Sequence, residues 1–443
     1  MENKKRDAIA ILGCGVVGSA TARILTQDID FLKTRTNLNF FLKYIIDVNF
    51  AYAKKLNLSD SLFTDNLDAV LVDPEVLVVV ELVGGTTFAK EAAIKILNAG
   101  KNLVTANKAL LAKYGTELFS IARKNNVSIS FEASCGGGIP IVRAIYDGLL
   151  ANKQDALYGI LNGTCNYILT EMCSNGVSYE NALKEAQEKG LAEADPTLDV
   201  SGMDSAHKLA ILSSIAFGMQ IDTGSIAVSG IDNLDIFDIN SGKELGYIIK
   251  LIAMARLVDG KLSLKVAPSF ISKEHPLAWV AGSFNAISIY SHTLGHSMYY
   301  GRGAGGSPTA SAVAADIINV FLGTSERFFS LPIWPDKTKP ASLLPQGEEK
   351  GRYYLRINAK DQPGVLSKIA SVFADYEISI SSVIQKEMPE ESTKSHVPIV
   401  IITYAAKEEN MHKAITKIDT FDIVKEKTVC INIMDEHEEI FNV

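Results

Sequence analysis

The chain has 443 residues, of which 47% are hydrophobic and 21% charged, and its formal net charge is −8. That length predicts two to four domains at roughly 100–200 residues per domain, and the acidic balance argues against nucleic acid as a partner. The longest strongly apolar stretch begins at Val76 and is far shorter than the roughly 20 residues of a membrane-spanning helix, so no membrane partner is expected. Five scattered cysteines without a CxxC pair, and an N-terminus without a signal-peptide pattern, favour a reducing cytoplasm.

The first part of the chain alternates strand-like and helix-like segments. Ala8–Leu12 predicts a strand that passes through glycines into a helix over about 19–25. Further strands are predicted at Phe40–Ile46, Val76–Val83, Asn102–Thr105 and Val127–Phe131, with a helix at Phe88–Asn98. This alternation predicts an α/β domain with a doubly wound parallel sheet over residues 1–135.

A glycine-rich turn lies between the first predicted strand and helix: Gly13-Cys14-Gly15-Val16-Val17-Gly18. Gly13 permits a tight turn, Gly15 lets the backbone approach a pyrophosphate, and Gly18 allows close packing of helix on strand. The helix N-terminus would offer free N–H groups and the positive end of its dipole to the phosphates. Glycine turns are common, but the strand–turn–helix context favours a Rossmann-type domain that binds NAD or NADP over a purely structural turn.

Asp47 ends the second predicted strand. A carboxylate in that place typically accepts hydrogen bonds from the adenosine ribose and repels a 2′-phosphate, which favours NAD. It lies 29 residues after Gly18, a longer spacing than the usual ~20, and Lys54 and Lys55 stand nearby and could meet a 2′-phosphate instead. A solvated aspartate at a strand end is the alternative.

The rest of the chain changes character. Residues 136–306 begin with a glycine-rich hinge and mix strands with amphipathic helices, which predicts an α+β substrate domain. A helix over about 307–330 is expected to complete the first domain. Residues 331–352, rich in Pro, Lys and Glu, predict a linker, and residues 353–443 give the order βαββαβ, a ferredoxin-like module.

Two stretches that follow predicted strands could carry chemistry. Lys108 lies just past the end of an apolar strand, where open α/β sheets bind ligands, although a lone loop lysine is usually only solvated. The stretch Glu132–Pro140 holds three successive glycines, which either bring backbone carbonyls to a cation or form a hinge. Cys135 has no activating partner in the sequence, so a nucleophilic role is not favoured.

A second cluster of charges occurs further along the chain. Asp204 and Lys208 share one face of a predicted helix at i, i+4, and Glu193 and Asp199 add carboxylates nearby. Carboxylates suit a substrate ammonium group, and a lysine can accept an alcohol proton if its pKa is lowered or if it is held against the oxygen. From spacing alone, a surface ion pair explains Asp204 and Lys208 better, and His207 is expected to be a packing or solvated residue.

Taken together, these motifs resemble those of homoserine dehydrogenases. The resemblance covers nearly the whole chain and rests on GCGVVG, TANKALL, FEASCGGGIPIV, LNGTCNYILTEM, GLAEADPTLDVSGMDSAHKLAIL and YGRGAGGSPTASAV, in that order. It implies reversible reduction of L-aspartate 4-semialdehyde to L-homoserine with NAD or NADP, in threonine, methionine and isoleucine biosynthesis.

The resemblance also implies roles for individual residues. Lys208 matches a proton-transfer lysine and Lys108 a second active-site lysine near cofactor and substrate; two neighbouring lysines would disfavour both being charged, which helps one act as a base. The remaining matches are Gly190, Glu193, Asp199 and Asp204 for substrate, Gly303 for cofactor, and Glu132, Cys135, Gly137 and Ile139 for a sodium ion held mainly by backbone carbonyls. Cys135 stands where valine is usual, and Asp47 where an arginine is common in members that use NADP.

The C-terminal module resembles an ACT domain, a regulatory unit, and Asp361 and Gly364 match its ligand-binding turn. Threonine is the effector that this resemblance implies, and a purely oligomerising role is the alternative. ACT domains usually pair side by side, and residues 136–306 match the family's dimerisation domain, so a homodimer or homotetramer is expected.

Three other functions stay open. One is a dehydrogenase that acts on a different amino-acid aldehyde or alcohol. A related one is a phosphate-dependent aldehyde dehydrogenase that uses Cys135 as nucleophile. The third is an amino-acid sensor that binds nucleotide without catalysis, against which the intact set of Glu193, Asp204 and Lys208 argues.

Overall fold

The computed structural model describes residues 7–385 and 396–438. Its first region is a parallel sheet between helices, formed by β1 (Ala8–Leu12), α1 (Val16–Gln27), α2 (Ile29–Thr36), β2 (Phe41–Ile46), β3 (Phe63–Thr64), α3 (Leu67–Leu71), β4 (Val76–Glu81), α4 (Thr87–Asn98), β5 (Asn102–Thr105), α5 (Lys108–Lys124) and β6 (Ile129–Ser130). The strand order β3-β2-β1-β4-β5-β6 is that of a dinucleotide-binding fold. The predicted Rossmann-type sheet is therefore confirmed, and α2 accounts for the long spacing between Gly18 and Asp47.

The second region is α+β, as predicted. It contains α6 (Ile141–Arg143), β7 (Gln154–Ile160), α7 (Gly163–Asn175), α8 (Tyr179–Glu188), α9 (Thr197–Val200), α10 (Met203–Phe217), β8 (Met219–Gln220), β9 (Ala227–Val228), α11 (Ile236–Glu244), β10 (Tyr247–Val258), β11 (Lys261–Ser272), β12 (Phe284–Ser291) and β13 (Gly295–Arg302). Helix α10 is buried on nearly all sides, which places its polar residues inside the protein.

The chain then returns to the first region. Two helices, α12 (Gly306–Phe321) and α13 (Thr324–Phe329), stand where one was predicted. Val313 and Ile317 of α12 belong to the same buried cluster as Ile9 and Ile11 of β1. This return brings the residues just before α12 close to the glycine turn of β1.

The segment predicted as a linker, 331–352, packs against the first two regions. Trp334 is buried and stacks on Phe119 of α5 with ring centroids 5.7 Å apart. Asp336 accepts two hydrogen bonds from Arg123, at 2.6 and 3.1 Å. A short strand, β14 (Lys339–Pro340), pairs with β8. The segment predicted as a linker therefore has apolar and ionic contacts of its own, which the sequence composition does not show.

The C-terminal region has the predicted βαββαβ order, with one additional short strand: β15 (Lys350–Lys360), α14 (Val365–Asp375), β16 (Ile380–Gln385), β17 (His396–Thr403), β18 (Ala406–Lys407), α15 (Glu408–Ile418) and β19 (Val429–Met434). Its sheet runs β19-β15-β17-β16. Strand β19 also pairs in parallel with β11, joining Phe270 to Ile433. One continuous sheet therefore spans the second and third regions. Within the described residues, every helix is too short or too polar to cross a membrane.

Candidate active site

Two lysines from different regions meet on one buried carboxylate. Asp204 lies 3.0 Å from Lys108 Nζ through Oδ1 and 2.8 Å from Lys208 Nζ through Oδ2. Asp204 is 3% exposed and Lys208 8%. The interpretation of Asp204 and Lys208 as a surface ion pair is therefore wrong, and the cluster lies where the first two regions meet.

Lys108 is the first residue of α5, at the carboxyl edge of the parallel sheet. Asn107 caps this helix, and its side-chain amide donates to the carbonyl of Gly85 at 2.7 Å. The hydroxyl of Thr105, at the end of β5, accepts from the Asn107 N–H and donates to Glu81, at the end of β4, at 2.6 Å. These contacts join the ends of β4 and β5 and fix the position of Lys108 at the start of α5.

Helix α10 places the other two charges. Gly202 precedes it with φ of +87°, a backbone conformation that favours glycine. Asp204 lies in the first turn, where the positive end of the helix dipole stabilises a carboxylate. Lys208 follows one turn later and also donates to the carbonyl of Leu161 at 2.7 Å. Two of its three N–H groups thus have partners, Asp204 and Leu161.

Asn162 links the carboxylates of the cluster. Its side-chain nitrogen donates to Asp199 and to Asp204, at 2.8 Å each, while its oxygen caps α7. Thr164 adds hydrogen bonds to the carbonyl of Leu191 at 2.7 Å and to Asp199 at 3.2 Å. The sequence reasoning missed Asn162 and Thr164 as site residues. The available signal was the run Leu-Asn-Gly-Thr between a strand and a helix, which is typical of a helix cap.

The charges of the cluster support one another. Burial alone would raise the pKa of Asp204, but Lys208 and Lys108 outweigh burial and hold that pKa well below its usual range. Burial would lower the pKa of Lys108, but Asp204 outweighs it and raises that pKa. The predicted repulsion between the lysines does not lower the pKa of Lys108, because the shared carboxylate pairs with both ammonium groups. The neighbouring His207 is half-buried, and burial lowers its pKa.

The loop before α9 contributes less to the cluster than predicted. Gly190 follows the end of α8 with φ of +69°, and the carbonyl of Leu191 accepts a hydrogen bond from Thr164. Glu193 is exposed, and its backbone carbonyl accepts from Gln187 at 3.2 Å. Among the residues that the structure describes, no hydrogen bond or ion pair joins the Glu193 carboxylate to Asp204 or to either lysine. The structure therefore brings together Lys108, Asp199, Asp204 and Lys208 and leaves Glu193 outside this hydrogen-bonded set.

The glycine turn has the shape of a pyrophosphate cradle. Gly13 has φ of +96°, and a Cβ there would lie 2.7 Å from the Leu82 backbone. A Cβ on Gly18 would lie 2.0 Å from the Gly13 carbonyl oxygen. Gly15 precedes α1, the side chain of Val16 is exposed, and Val17 packs against the core beneath. The open helix N-terminus and the absence of side chains at these glycines fit a dinucleotide.

Asp47 accepts hydrogen bonds from backbone N–H groups, so it is more than a solvated aspartate at a strand end. Its Oδ2 accepts from the Cys14 N–H at 2.5 Å, and its Oδ1 accepts from Val48 and Asn49 at 2.7 and 3.0 Å. The carboxylate therefore braces the glycine turn against the end of β2. Each oxygen keeps lone-pair capacity for a ribose hydroxyl.

The stretch predicted to bind sodium packs against Gly303, the glycine predicted to contact the cofactor. Gly136 and Gly137 have φ of +72° and +56°, and a Cβ on Gly137 would lie 2.5 Å from the backbone of Gly303. The carboxylate of Glu132 accepts from the backbone N–H groups of residues 142 and 143 at 2.8 Å each, and its carbonyl oxygen accepts from the Cys135 N–H at 3.4 Å. Ile139 is buried at the end of this turn. Among the described residues, no group of three or more His, Cys, Asp or Glu side chains is placed to hold a metal.

Cys135 lies beside the cluster but is not an activated nucleophile. It is fully buried, and burial raises the pKa of its thiol to about 12. The thiol therefore stays protonated near neutral pH, whereas the thiolate is the reactive form. This counts against a covalent aldehyde dehydrogenase mechanism.

The predicted regulatory turn follows β15. Gly364 has φ of +90° and precedes α14. The carboxylate of Asp361 is exposed and accepts from Gln385, at the end of β16, at 3.4 Å. The turn and the end of β16 thus lie next to each other on the surface.

Comparisons with known proteins agree across the chain. Family models match for homoserine dehydrogenase at residues 140–318, for the homoserine dehydrogenase NAD binding domain at residues 13–132, and for the ACT domain at residues 353–421. The homoserine dehydrogenase of Neisseria gonorrhoeae is 39% identical, covering 97% of this chain and 99% of that one. The crystal structure of a homoserine dehydrogenase from Thiobacillus denitrificans superposes with a TM-score of 0.90 at 39% identity, covering 97% and 98% of the two chains. A hyperthermophilic archaeal homoserine dehydrogenase mutant in complex with NADPH gives a TM-score of 0.59 at 28% identity, covering 71% of this chain and 98% of that one.

Proposed function

The chain belongs to the homoserine dehydrogenase family and is an NAD(P)-dependent oxidoreductase acting on a CH–OH group, and we propose that the two lysines around Asp204 carry its reaction. The reaction is the reversible reduction of L-aspartate 4-semialdehyde to L-homoserine. The observation that carries the proposal is the shared pairing of Lys108 and Lys208 with one buried carboxylate, at the carboxyl edge of the dinucleotide-binding sheet.

Lys208 is the proton carrier in this proposal. When the dinucleotide is bound, its nicotinamide ring supplies or removes the hydride at C4 of the substrate. During reduction the aldehyde oxygen gains a proton, which Lys208 donates through the N–H group that is not directed to Asp204 or Leu161. During oxidation the same nitrogen takes the proton from the homoserine hydroxyl. General acid–base help of this kind contributes ~10²–10⁴ in rate.

Lys108 and the carboxylates position the substrate. Asp204 keeps Lys108 charged, so Lys108 serves as a fixed positive charge toward the substrate oxygen and the cofactor. Asp199, held by Asn162 and Thr164, offers its carboxylate to the substrate ammonium group. Glu193 joins it from the loop after Gly190, whose neighbour Leu191 is already tied to Thr164.

The cofactor is proposed to lie across Gly13–Gly18, with the ribose at Asp47 and the nicotinamide end toward Lys108 and Gly303. A carboxylate at the end of β2 favours NAD, and the hydrogen bonds that hold Asp47 in place support this preference. The archaeal neighbour with NADPH supports binding of the phosphorylated cofactor within this fold. We therefore propose that both dinucleotides bind and that NAD is preferred.

A sodium ion is proposed at the carbonyls of Glu132, Cys135, Gly137 and Ile139. The support is conformational: two successive left-handed glycines, residues 136 and 137, turn the backbone within one short stretch. Such a turn can direct several carbonyl oxygens toward one cation. The ion would hold this stretch in its close contact with the backbone of Gly303.

The C-terminal ACT domain is proposed to sense L-threonine at the turn that contains Asp361 and Gly364. The chain is also proposed to form homodimers or homotetramers. Strand β16 is an edge of the continuous sheet within the described residues, and an unpaired strand edge is a template for another copy of the chain. Asp361 contacts the end of this strand, so pairing there would place a second copy beside the ligand turn.

The first experiment is an assay that follows reduced nicotinamide by absorbance, with L-homoserine and either NAD or NADP. Turnover with both dinucleotides and a higher kcat/KM for NAD are expected. L-Serine, which is one methylene shorter, is the substrate control and is expected to react poorly. Cys135→Ser is expected to keep activity without added phosphate. Absence of turnover with L-homoserine and either dinucleotide would contradict the proposal.

A further inference from the structure

The ACT domain is joined to the substrate region by a buried ion pair. Arg356 of β15 donates to Asp238 of α11 through Nε at 2.7 Å and through Nη2 at 2.9 Å. The hydroxyl of Tyr354, on the same face of β15, donates to the same carboxylate at 2.9 Å. Asp238 has no solvent exposure. Because a bidentate arginine–carboxylate pair has a fixed geometry, β15 and α11 are held in one relative position.

Aromatic packing strengthens this connection. The ring of Tyr354 meets Phe270 of β11 edge-on, with centroids 5.1 Å apart. Gly242 of α11 lies so close to the Phe270 ring that a Cβ would be 2.2 Å from it. The guanidinium of Arg356 lies over the ring of Phe237, 5.6 Å from its centroid. Helix α11, β11 and β15 therefore form one packed unit.

The chain just before α11 reaches the substrate site. Ile231 is fully buried and donates its N–H to the carbonyl of Val200 at 2.9 Å. A Cβ on Gly230 would lie 2.4 Å from the same carbonyl oxygen. Val200 ends α9, which carries Asp199, and α10 with Asp204 begins shortly after it. A displacement of α11 would therefore be transmitted to the segment that places both carboxylates.

We propose that the Asp238–Arg356 ion pair is the connection through which the ACT domain sets the position of Asp199 and thereby the affinity for substrate. Asp238 and Arg356 are positioning residues, because they act through α11, Ile231 and Val200 and not through contact with substrate. A close-packed interior does not deform continuously, so a displacement of one packed element moves its neighbours with it. The inference rests on the proposed substrate role of Asp199 and adds a route by which the state of the ACT domain reaches it.

The test uses the full-length enzyme with Asp238→Asn, Arg356→Gln and the double variant. Two readouts are needed: KM and kcat for L-homoserine without any effector, and hydrogen exchange of the peptide covering residues 197–212. Each single variant is expected to raise KM by roughly fivefold or more, since fivefold is the lower end of the typical coupling between two sites. The value of kcat should change little, and the amide hydrogens of residues 197–212 should exchange faster. The double variant, in which two neutral amides replace the ion pair, is expected to recover toward the wild type.

Arg256→Met is the matched control. Arg256 of β10 also forms an ion pair with the later part of the chain, with Glu349 at 2.7 Å, and this pair is more exposed than Asp238 and Arg356. It leaves Asp238 untouched, so it is expected to lower thermal stability without raising KM. Tyr354→Phe removes one hydrogen bond to Asp238 and keeps the ring, so it gives the same readouts if a charge variant fails to fold. The proposal is overturned if these variants change KM and exchange no more than Arg256→Met does.

Addition of L-threonine separates this inference from the effector proposal. If L-threonine inhibits the wild type, Asp238→Asn is expected to weaken that inhibition by about the factor by which it raises KM. Unchanged inhibition would overturn the proposal that the ion pair connects the ACT domain to the substrate site. A wild type that does not respond to L-threonine refutes the choice of effector alone, since the comparison of KM without effector still decides the role of Asp238.

Discussion

Lys108 and Lys208 belong to different domains, yet their ammonium groups pair with the two oxygens of one carboxylate, at 3.0 and 2.8 Å. The carboxylate of Asp204 has almost no solvent exposure. Truncating one partner of such a buried pair leaves an uncompensated charge. The three residues therefore act as a unit, and their substitutions should not be additive.

The first prediction concerns Lys208. Lys208→Met keeps much of the side-chain volume and removes the proton donor, so kcat is expected to fall by ~10²-fold or more. Binding of the reduced cofactor, followed by fluorescence titration, should change little, because Lys208 contacts Asp204 and Leu161 and lies on α10, outside the glycine turn. Lys189→Met, at an exposed lysine just after α8, is the control and should leave kcat unchanged. Turnover near the wild-type rate in Lys208→Met would refute the proton-carrier role.

The second prediction concerns the charge state of Lys108. Burial lowers its pKa and Asp204 raises it, with the net shift upward. In Asp204→Asn the largest opposition to burial is removed and only the weaker attraction of Asp199 and Cys135 remains, so Lys108 should lose its proton at lower pH than in the wild type. The alkaline limb of the kcat/KM profile is expected to move to lower pH, with a loss of about 100-fold in kcat/KM at neutral pH. An alkaline limb at the wild-type position would show that Lys108 does not need its charge.

The sequence predicts the shared face of Asp204 and Lys208, because i, i+4 spacing on a helix is a local property. It does not predict their burial, which requires α5 from about a hundred residues earlier to pack against α10. The Rossmann-type order and the βαββαβ module are predictable for the same local reason, since each element follows from its own periodicity. The pairing of β11 with β19 and the ion pair of Asp238 with Arg356 join distant segments, and no short-range pattern marks them.

The third prediction concerns the crossing of Gly137 and Gly303. Gly137→Ala adds a Cβ in left-handed backbone and places it 2.5 Å from the Gly303 backbone. The expected loss of unfolding free energy is at least about 2 kcal/mol, from backbone strain together with overpacking. Gly100→Ala is the matched control, because Gly100 has φ of +67° and open space around it, so it should lose only about 1 kcal/mol. Urea unfolding measures both, and equal losses would show that the close approach has no energetic consequence.

The last prediction concerns two buried acids beneath the glycine hinge. Asp316 accepts the Glu132 N–H at 2.8 Å and lies 3.7 Å from Arg143. Burial raises the pKa of Asp316 to about 8 and that of Glu132 to about 7. In the unfolded chain such acids have a pKa near 4 (about 3.9 for Asp and about 4.3 for Glu), so between these values the folded state binds more protons than the unfolded state.

Stability contributed by these acids is therefore complete below about pH 4 and is lost as pH rises through about 7 to 8. Asp316→Asn mimics the neutral acid and should reduce the fall in unfolding free energy between about pH 5 and about pH 8. The fall should not vanish, because Glu132 still titrates. Asp68→Asn, at an exposed carboxylate on α3, is the control and should keep the wild-type slope. If Asp316→Asn also keeps that slope, Asp316 is ionised in the folded protein, and Arg143 rather than a bound proton compensates its burial.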